Sequence, residues 1–375
     1  MNYAQLKEEI EKYEPTMTAG ERRVAYAKGE EVDHIPISLP FGETLGHLYG
    51  YSVKQYNTTF ESRVAEIEFL KQHPEFGGGT TGNVVMGLRG IGEAVGSVVK
   101  YPENSVDYVD KHVLTDWDML PDLEQRFTKD NPFIQGKLQM IRQYKETYGE
   151  KFPVITNVAG PISTAVAIRK PELFLRDLIK NKDKAHELLD LSVRLSIRWL
   201  EFYAEEFGAP MAGFSDPVAS MSMISTNLFR EFCVPHLQDL LAGFKRVTGM
   251  VPGVHICGKT KPVWNDIADL GMPSFSVDNC EDLEELKLAI GNRMAISGNV
   301  PPVDVMRNGT IDDVIEAVKI CLEKGSDNPK GYTLGIGCQL PVGTPIENLH
   351  AFVYAARKYG AGAKLGCKPK GLYLE

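Results

Sequence analysis

Eight apolar, strand-like runs recur along the chain, and helical patterns separate most of them. They are HIPISLPF from His34, EFGGGTTGNVVM from Glu75, VITNVAGP from Val154, APMAGFSDP from Ala209, MVPGVHICG from Met250, SFSVD from Ser274, MAISGNVPP from Met294 and YTLGIGCQLP from Tyr332. Alternation of strand and helix requires parallel strands joined by crossover helices, because a tight turn cannot join parallel neighbours. Eight such units predict an α/β chain forming a closed (β/α)8 TIM-type barrel rather than an open doubly wound sheet.

The helices between the runs carry their own signals. Apolar residues at 64, 67, 69 and 70 predict a helix over 61–73. Leu188, Leu189, Val193, Ile197 and Leu200 recur at three- and four-residue steps, so 184–206 reads as a long amphipathic helix. Residues 311–325 follow Thr310 as N-cap, have acidic residues in the first turn and stop at Gly325. For 344–360 the expectation is Thr344 as N-cap, Pro345 at the first helical position, Glu347 completing a capping box and Gly360 as terminator. Residues 1–30 read as an N-terminal helical extension. Residues 95–116 read as a β-hairpin insertion turning at Pro102–Asn104. No linker divides the rest, so 31–375 is expected to be a single barrel domain.

Composition narrows the function. With 41 Lys+Arg against 50 Asp+Glu the net charge is −9. That argues against a nucleic-acid partner, which needs a clustered basic excess. No apolar stretch is long enough to span a membrane, and MNYAQLKEEIEKYEP has no apolar core of a secretory signal. Six irregularly spaced cysteines do not make a disulfide framework, so a reducing, cytoplasmic setting is expected for an enzyme or binding protein. Oligomeric state is not readable.

In such a barrel the chemistry sits at the C-terminal strand ends. Glu43, Asn157, Asp216, His255, Cys257, Asp278, Asn299 and Cys338 are the polar residues expected there. His255 and Cys257 are two apart in a strand, so both side chains project from one face. Cys338 ends the last strand. One His and two Cys with a fourth position open is the donor pattern of a catalytic zinc. Spacing alone leaves the plainer reading open, in which the cysteines are small buried hydrophobes.

The segments HICGKTKPVWNDIADLG, FSVD, ISGNVPP and GIGCQLPVGTPIENLHAFVYAARKYG resemble the uroporphyrinogen decarboxylase superfamily. More narrowly, they are similar to its zinc-dependent cobamide methyltransferases, which include the methylcobamide:coenzyme M methyltransferases. The likeness is strongest from Ala209 to Gly360. It implies that His255, Cys257 and Cys338 bind Zn2+, and that a methyl group passes between a corrinoid and a small molecule, most readily a thiol. It also implies a separate corrinoid protein as partner, since the chain lacks the D-x-H-x-x-G sequence of such carriers. Demethylation of an O- or N-methyl donor, a decarboxylase-like activity and a non-catalytic corrinoid- or ligand-binding barrel are the alternatives. Against decarboxylation, HIPISLPFGETLGH has no Arg or Lys where decarboxylases carry an arginine-rich segment.

Asp216 and Asp278 are expected to orient a zinc ligand or the substrate, and Glu43, Asn157 and Asn299 to contact the substrate. The Gly77–Gly82 run is expected to be a loop near the site. Cys233 and Cys321 read as core, Cys280 and Cys367 as incidental, and His186, His236 and His350 as ordinary helix residues.

Overall fold

The computed structural model describes residues 1–373. All eight expected strands are present. They are β1 (Ile37–Ser38), β2 (Gly82–Asn83), β3 (Val154–Ala159), β4 (Met211–Ser215), β5 (Val254–Ile256), β6 (Ser274–Val277), β7 (Ala295–Val300) and β8 (Tyr332–Ile336). With helices alternating between them, the chain has a (β/α)8 TIM-type fold. It divides into two compact units. The first comprises Met1–Tyr56, Val64–Gly79 and the chain from Pro273 onward; the second comprises Asn57–Arg63 and Thr80–Met272.

Within the first unit β1, β8, β7 and β6 pair in parallel in that order. Within the second, β2, β3, β4 and β5 do the same. The principal helices are α1 (Tyr3–Glu11), α2 (Ala19–Ala27), α3 (Glu61–Gln72), α4 (Pro132–Tyr148), α5 (Pro161–Ile168), α6 (Lys182–Phe207), α7 (Val234–Thr248), α8 (Leu283–Ile290), α9 (Ile311–Gly325) and α10 (Ile346–Tyr359). The expected N-terminal helices are thus α1 and α2, and α1 packs on α10. The expected hairpin is present as Val98–Lys100 paired antiparallel with Tyr108–Lys111.

Strand alternation sorts the side chains of the second unit. One face of β3 and β4 carries the contacts to helices. Thr156 accepts a hydrogen bond from the buried Trp199 indole of α6 at 2.9 Å and donates to the Val84 carbonyl at 2.7 Å. Phe214 meets Phe244 of α7, their ring centroids 5.9 Å apart. The other face carries Asn83, Asn157, Ser215 and His255, as the registers Asn83↔Ile155, Asn157↔Gly213 and Ser215↔His255 require.

Two helix starts show how far capping signals reach. At α9 the box forms as read: the Thr310 side chain accepts from Asp313 N and the Asp313 carboxylate accepts from Thr310 N. At α10 it does not. The helix begins at Ile346, with Pro345 at the cap position and no side-chain cap. Thr344 Oγ instead donates to the Pro341 carbonyl at 2.8 Å, closing the preceding turn. With the helix starting at Ile346, Thr344 lies one residue before the cap position.

A third start is capped from a distant strand. Asp216, just past β4, is fully buried. Its Oδ1 accepts from Ser163 N at 2.8 Å and Ser163 Oγ at 2.6 Å, and Oδ2 accepts from Ile162 N at 3.2 Å. Both residues lie in the first turn of α5, whose own cap, Gly160, has no side chain. A Cβ on Gly160 would stand 2.4 Å from Asp216 Oδ2, so glycine there is what admits the carboxylate.

Burial pushes the Asp216 carboxyl up to about 6, against the pull of its hydrogen bonds from Ser163 and Ile162. A folded pKa above the ordinary 3.8 means that the folded state holds the proton more tightly. Its favourable contribution is complete below that lower value and is lost as pH rises through the upper one. The stability of wild type minus that of Asp216→Asn is therefore expected to fall by roughly 3 kcal/mol between pH 4 and 7. Urea titrations at several pH values read this difference, and a flat difference would mean that Asp216 is ionised throughout.

Candidate metal centre

The sharpest constellation lies at the end of β5. Val254 and Ile256 are buried, while His255 between them is part-exposed. Cys257 follows, and His255 Nε2 stands 3.0 Å from Cys257 Sγ. The i, i+2 spacing thus converges as a strand dictates. Two such donors on one tetrahedral zinc stand roughly 3.5 Å apart, given bond lengths of about 2.05 and 2.3 Å. The pair therefore fits a shared ion after a slight opening.

The backbone holds this geometry from both sides. Asp216 N donates to the His255 carbonyl at 3.0 Å, tying β5 to the buried cap described above. After Cys257 the chain turns sharply at Gly258, whose φ of +73° lies in the left-handed region. A Cβ there would meet Ser222 Oγ at 2.7 Å, so the loop carrying Ser220 and Ser222 sits against the turn. The turn continues into Thr260, which is buried and accepts from the Trp264 indole at 3.0 Å.

On the same face of the second unit, Asn157 is part-exposed on β3. Its Oδ1 is shielded from solvent and accepts no hydrogen bond among the described residues. Asn83 on β2 has the same property and shares that face. The sequence reading did not single out Asn83. Its signal was the one that marked Asn157: a lone amide inside an apolar strand.

In the first unit, Cys338 follows β8 and is part-exposed. Gly337 precedes it, and a Cβ there would meet Asn279 N at 2.6 Å, so the end of β8 lies hard against the loop after β6. The neighbouring Gln339 donates to Glu43 Oε1 at 3.2 Å, which brings the carboxylate after β1 beside the Cys338 segment. Asp278, just past β6, accepts from Cys280 N at 2.9 Å and so shapes its own turn.

Asn299 differs from the expectation of a substrate contact. It is 8% exposed, and its amide donates to the carbonyls of Asp278 at 3.1 Å and Glu281 at 2.8 Å. Both donors are taken up by backbone, so the residue ties β7 to the loop after β6.

Cys233 and Cys321 are buried, Cys280 and Cys367 exposed, and none of the six cysteines forms a disulfide among the described residues. His236 is buried with Nδ1 2.6 Å from the Phe232 carbonyl, and His186 stacks on Phe232. No helix among the described residues is long and apolar enough to cross a membrane.

The chain is 32% identical over 229 residues to a methylcobamide:CoM methyltransferase from Methanosarcina barkeri, a match covering 61% of this chain and 65% of that protein. It is 29% identical over 274 residues to a second methylcobamide:CoM methyltransferase, from Methanosarcina mazei, covering 72% of this chain and 76% of that one. A uroporphyrinogen decarboxylase from Coxiella burnetii is 23% identical over 184 residues, 48% of this chain and 49% of that protein. Among solved structures, a methyltransferase from Methanosarcina mazei superimposes with a TM-score of 0.73 at 26% identity, covering 92% of this chain and all of that one. The uroporphyrinogen decarboxylase (URO-D) family model matches residues 18–359, and the chain belongs to that family.

Proposed function

We propose that the protein is a zinc-dependent methyltransferase that moves a methyl group between a corrinoid, carried by a separate protein, and a small thiol. The observation that carries the reading is the convergence of His255 Nε2 and Cys257 Sγ at 3.0 Å on the end of β5. In this fold the C-terminal strand ends bear the chemistry. Cys338, at the end of β8, is the third donor of the proposed set. Two sulfurs and one imidazole suit zinc and leave a fourth position for the acceptor sulfur. Likeness to methylcobamide:CoM methyltransferases supports the same reading.

When bound, zinc would lower the pKa of the acceptor thiol, so that its sulfur reacts as thiolate at neutral pH. The thiol loses its proton, a sulfur–carbon bond forms, and the carbon–cobalt bond breaks with its electron pair left on cobalt. Asp216 acts as a positioning residue, through its backbone bond to the His255 carbonyl. Asn157 and Asn83 offer amides to polar parts of the acceptor. Glu43 lies beside Gln339, and Asp278 shapes the turn after β6, both as supports of the Cys338 side. Absence of Lys and Arg from HIPISLPFGETLGH leaves polycarboxylate substrates without a cationic partner there, which favours methyl transfer over decarboxylation. A reducing cytoplasm is the setting we propose, since it would keep the thiols of such a donor set reduced.

Elemental analysis of purified protein is the first test. Cys257→Ser and Cys338→Ser are each expected to lose one equivalent of zinc relative to wild type. Methyl transfer from methylcobalamin to coenzyme M or another small thiol should then fall at least about 100-fold, since losing a ligand costs no less than losing its outer hydrogen-bond partner. Zinc content unchanged in both variants would overturn the reading. A second measurement concerns Asn157. Asn157→Ala is expected to raise KM for the thiol about 10-fold while kcat changes less than about 2-fold, the pattern of lost ground-state binding. An unchanged KM would remove Asn157 from the acceptor pocket.

A further inference from the structure

A second group of ligating side chains lies wholly within the first unit. His73 and Glu75 flank the start of the short 3-10 turn Pro74–Phe76, and His350 lies on α10. His73 Nδ1 stands 3.0 Å from Glu75 Oε1, and His350 Nε2 stands 3.1 Å from the same oxygen. The three donor atoms lie within 4.8 Å of one another. His350 is thus more than the plain helix residue its sequence context suggests.

We propose that His73, Glu75 and His350 form a second divalent-cation site, selective for zinc, that fastens the Pro74–Phe76 turn to α10. Two imidazoles and a carboxylate are a known zinc donor combination, and the borderline nitrogens disfavour magnesium and calcium.

The surroundings suit an ion. The rings are walled by phenylalanines, with Phe69 4.4 Å from His73 and Phe76 4.9 Å from His350 between ring centroids. These contacts fix the ring planes. The side chains of His73, Glu75 and His350 remain 30%, 22% and 12% exposed, so an ion can reach them from solvent. Burial alone would raise the Glu75 carboxyl, but hydrogen bonds from His350 and His73 bring it down to about 2.

An outer partner completes the set. Tyr3 on α1 places its hydroxyl 2.9 Å from His350 Nδ1 and stacks against the ring at 5.8 Å. His73 Nδ1 and His350 Nε2 both face Glu75 Oε1, while His350 Nδ1 faces the Tyr3 hydroxyl. With an ion, His350 would carry its proton on Nδ1 and donate it to the tyrosine oxygen. A metal-ligating histidine with a hydrogen-bond partner on its other nitrogen is the usual arrangement.

The experiment uses full-length protein carrying Cys338→Ser, so that the two sites are read apart. After chelation and dialysis, ZnCl2 is expected to bind at one equivalent and to raise Tm by about 3 °C at a hundredfold excess over Kd. Adding His73→Asn or Glu75→Gln should abolish both effects while leaving the metal-free Tm within a few degrees. Tyr3→Phe should weaken binding roughly 10-fold. Cobalt at this site should show ligand-field absorption without a thiolate charge-transfer band. Failure of the Cys338→Ser protein to take up zinc, or uptake indifferent to both His73→Asn and Glu75→Gln, overturns the proposal. Neither result bears on His255 and Cys257.

Discussion

The pleat of each strand sends alternate side chains to opposite faces, and both the core and the candidate site obey that alternation. In the second unit Thr156 and Phe214 meet the helices, while Asn83, Asn157, Ser215 and His255 share the opposite face. A one-residue slip in β5 would bury His255 against helices and turn Val254 and Ile256 to the other side. Register is therefore a condition of chemistry here as much as of stability. It is enforced by burial of the apolar set, which has no alternative partner.

Close approach of backbones is the second condition. Gly160 admits the Asp216 carboxylate, Gly258 lets the chain turn after Cys257, and Gly337 lets β8 end against the loop after β6. Any side chain at these points collides with a neighbour. Asp216 itself joins two requirements. Its carboxylate caps α5 while its amide holds the carbonyl of His255. A buried group of this kind is costly to desolvate, and its hydrogen bonds offset that cost only in part.

The two histidine groups differ in what they offer. His255 and Cys257 present nitrogen and sulfur, a softer pair suited to thiolate chemistry. His73, Glu75 and His350 present nitrogen and oxygen between aromatic walls, with Tyr3 behind. The first belongs to a strand end, where a (β/α)8 fold carries reactions. The second lies on a short turn and a helix, where a bound ion would hold the two elements together.

Local patterns settled much of this protein. All eight strands, the long helix over 182–207, the hairpin and the Thr310 capping box were legible, because period, turn residues and caps act over a few positions. The His255–Cys257 pair was legible for the same reason, since two residues on one strand face cannot avoid each other. Tertiary structure decided the rest. Thr344 closed a turn onto Pro341 instead of capping its helix, because the helix begins two residues later, at Ile346. Asn299 was drawn to backbone carbonyls of another strand's loop, and Asp216 to a helix more than fifty residues away in sequence. His350 gained Glu75 and Tyr3 as partners from distant segments of the chain. No periodicity encodes such meetings, because they depend on how packed elements bring remote donors and acceptors within hydrogen-bond reach.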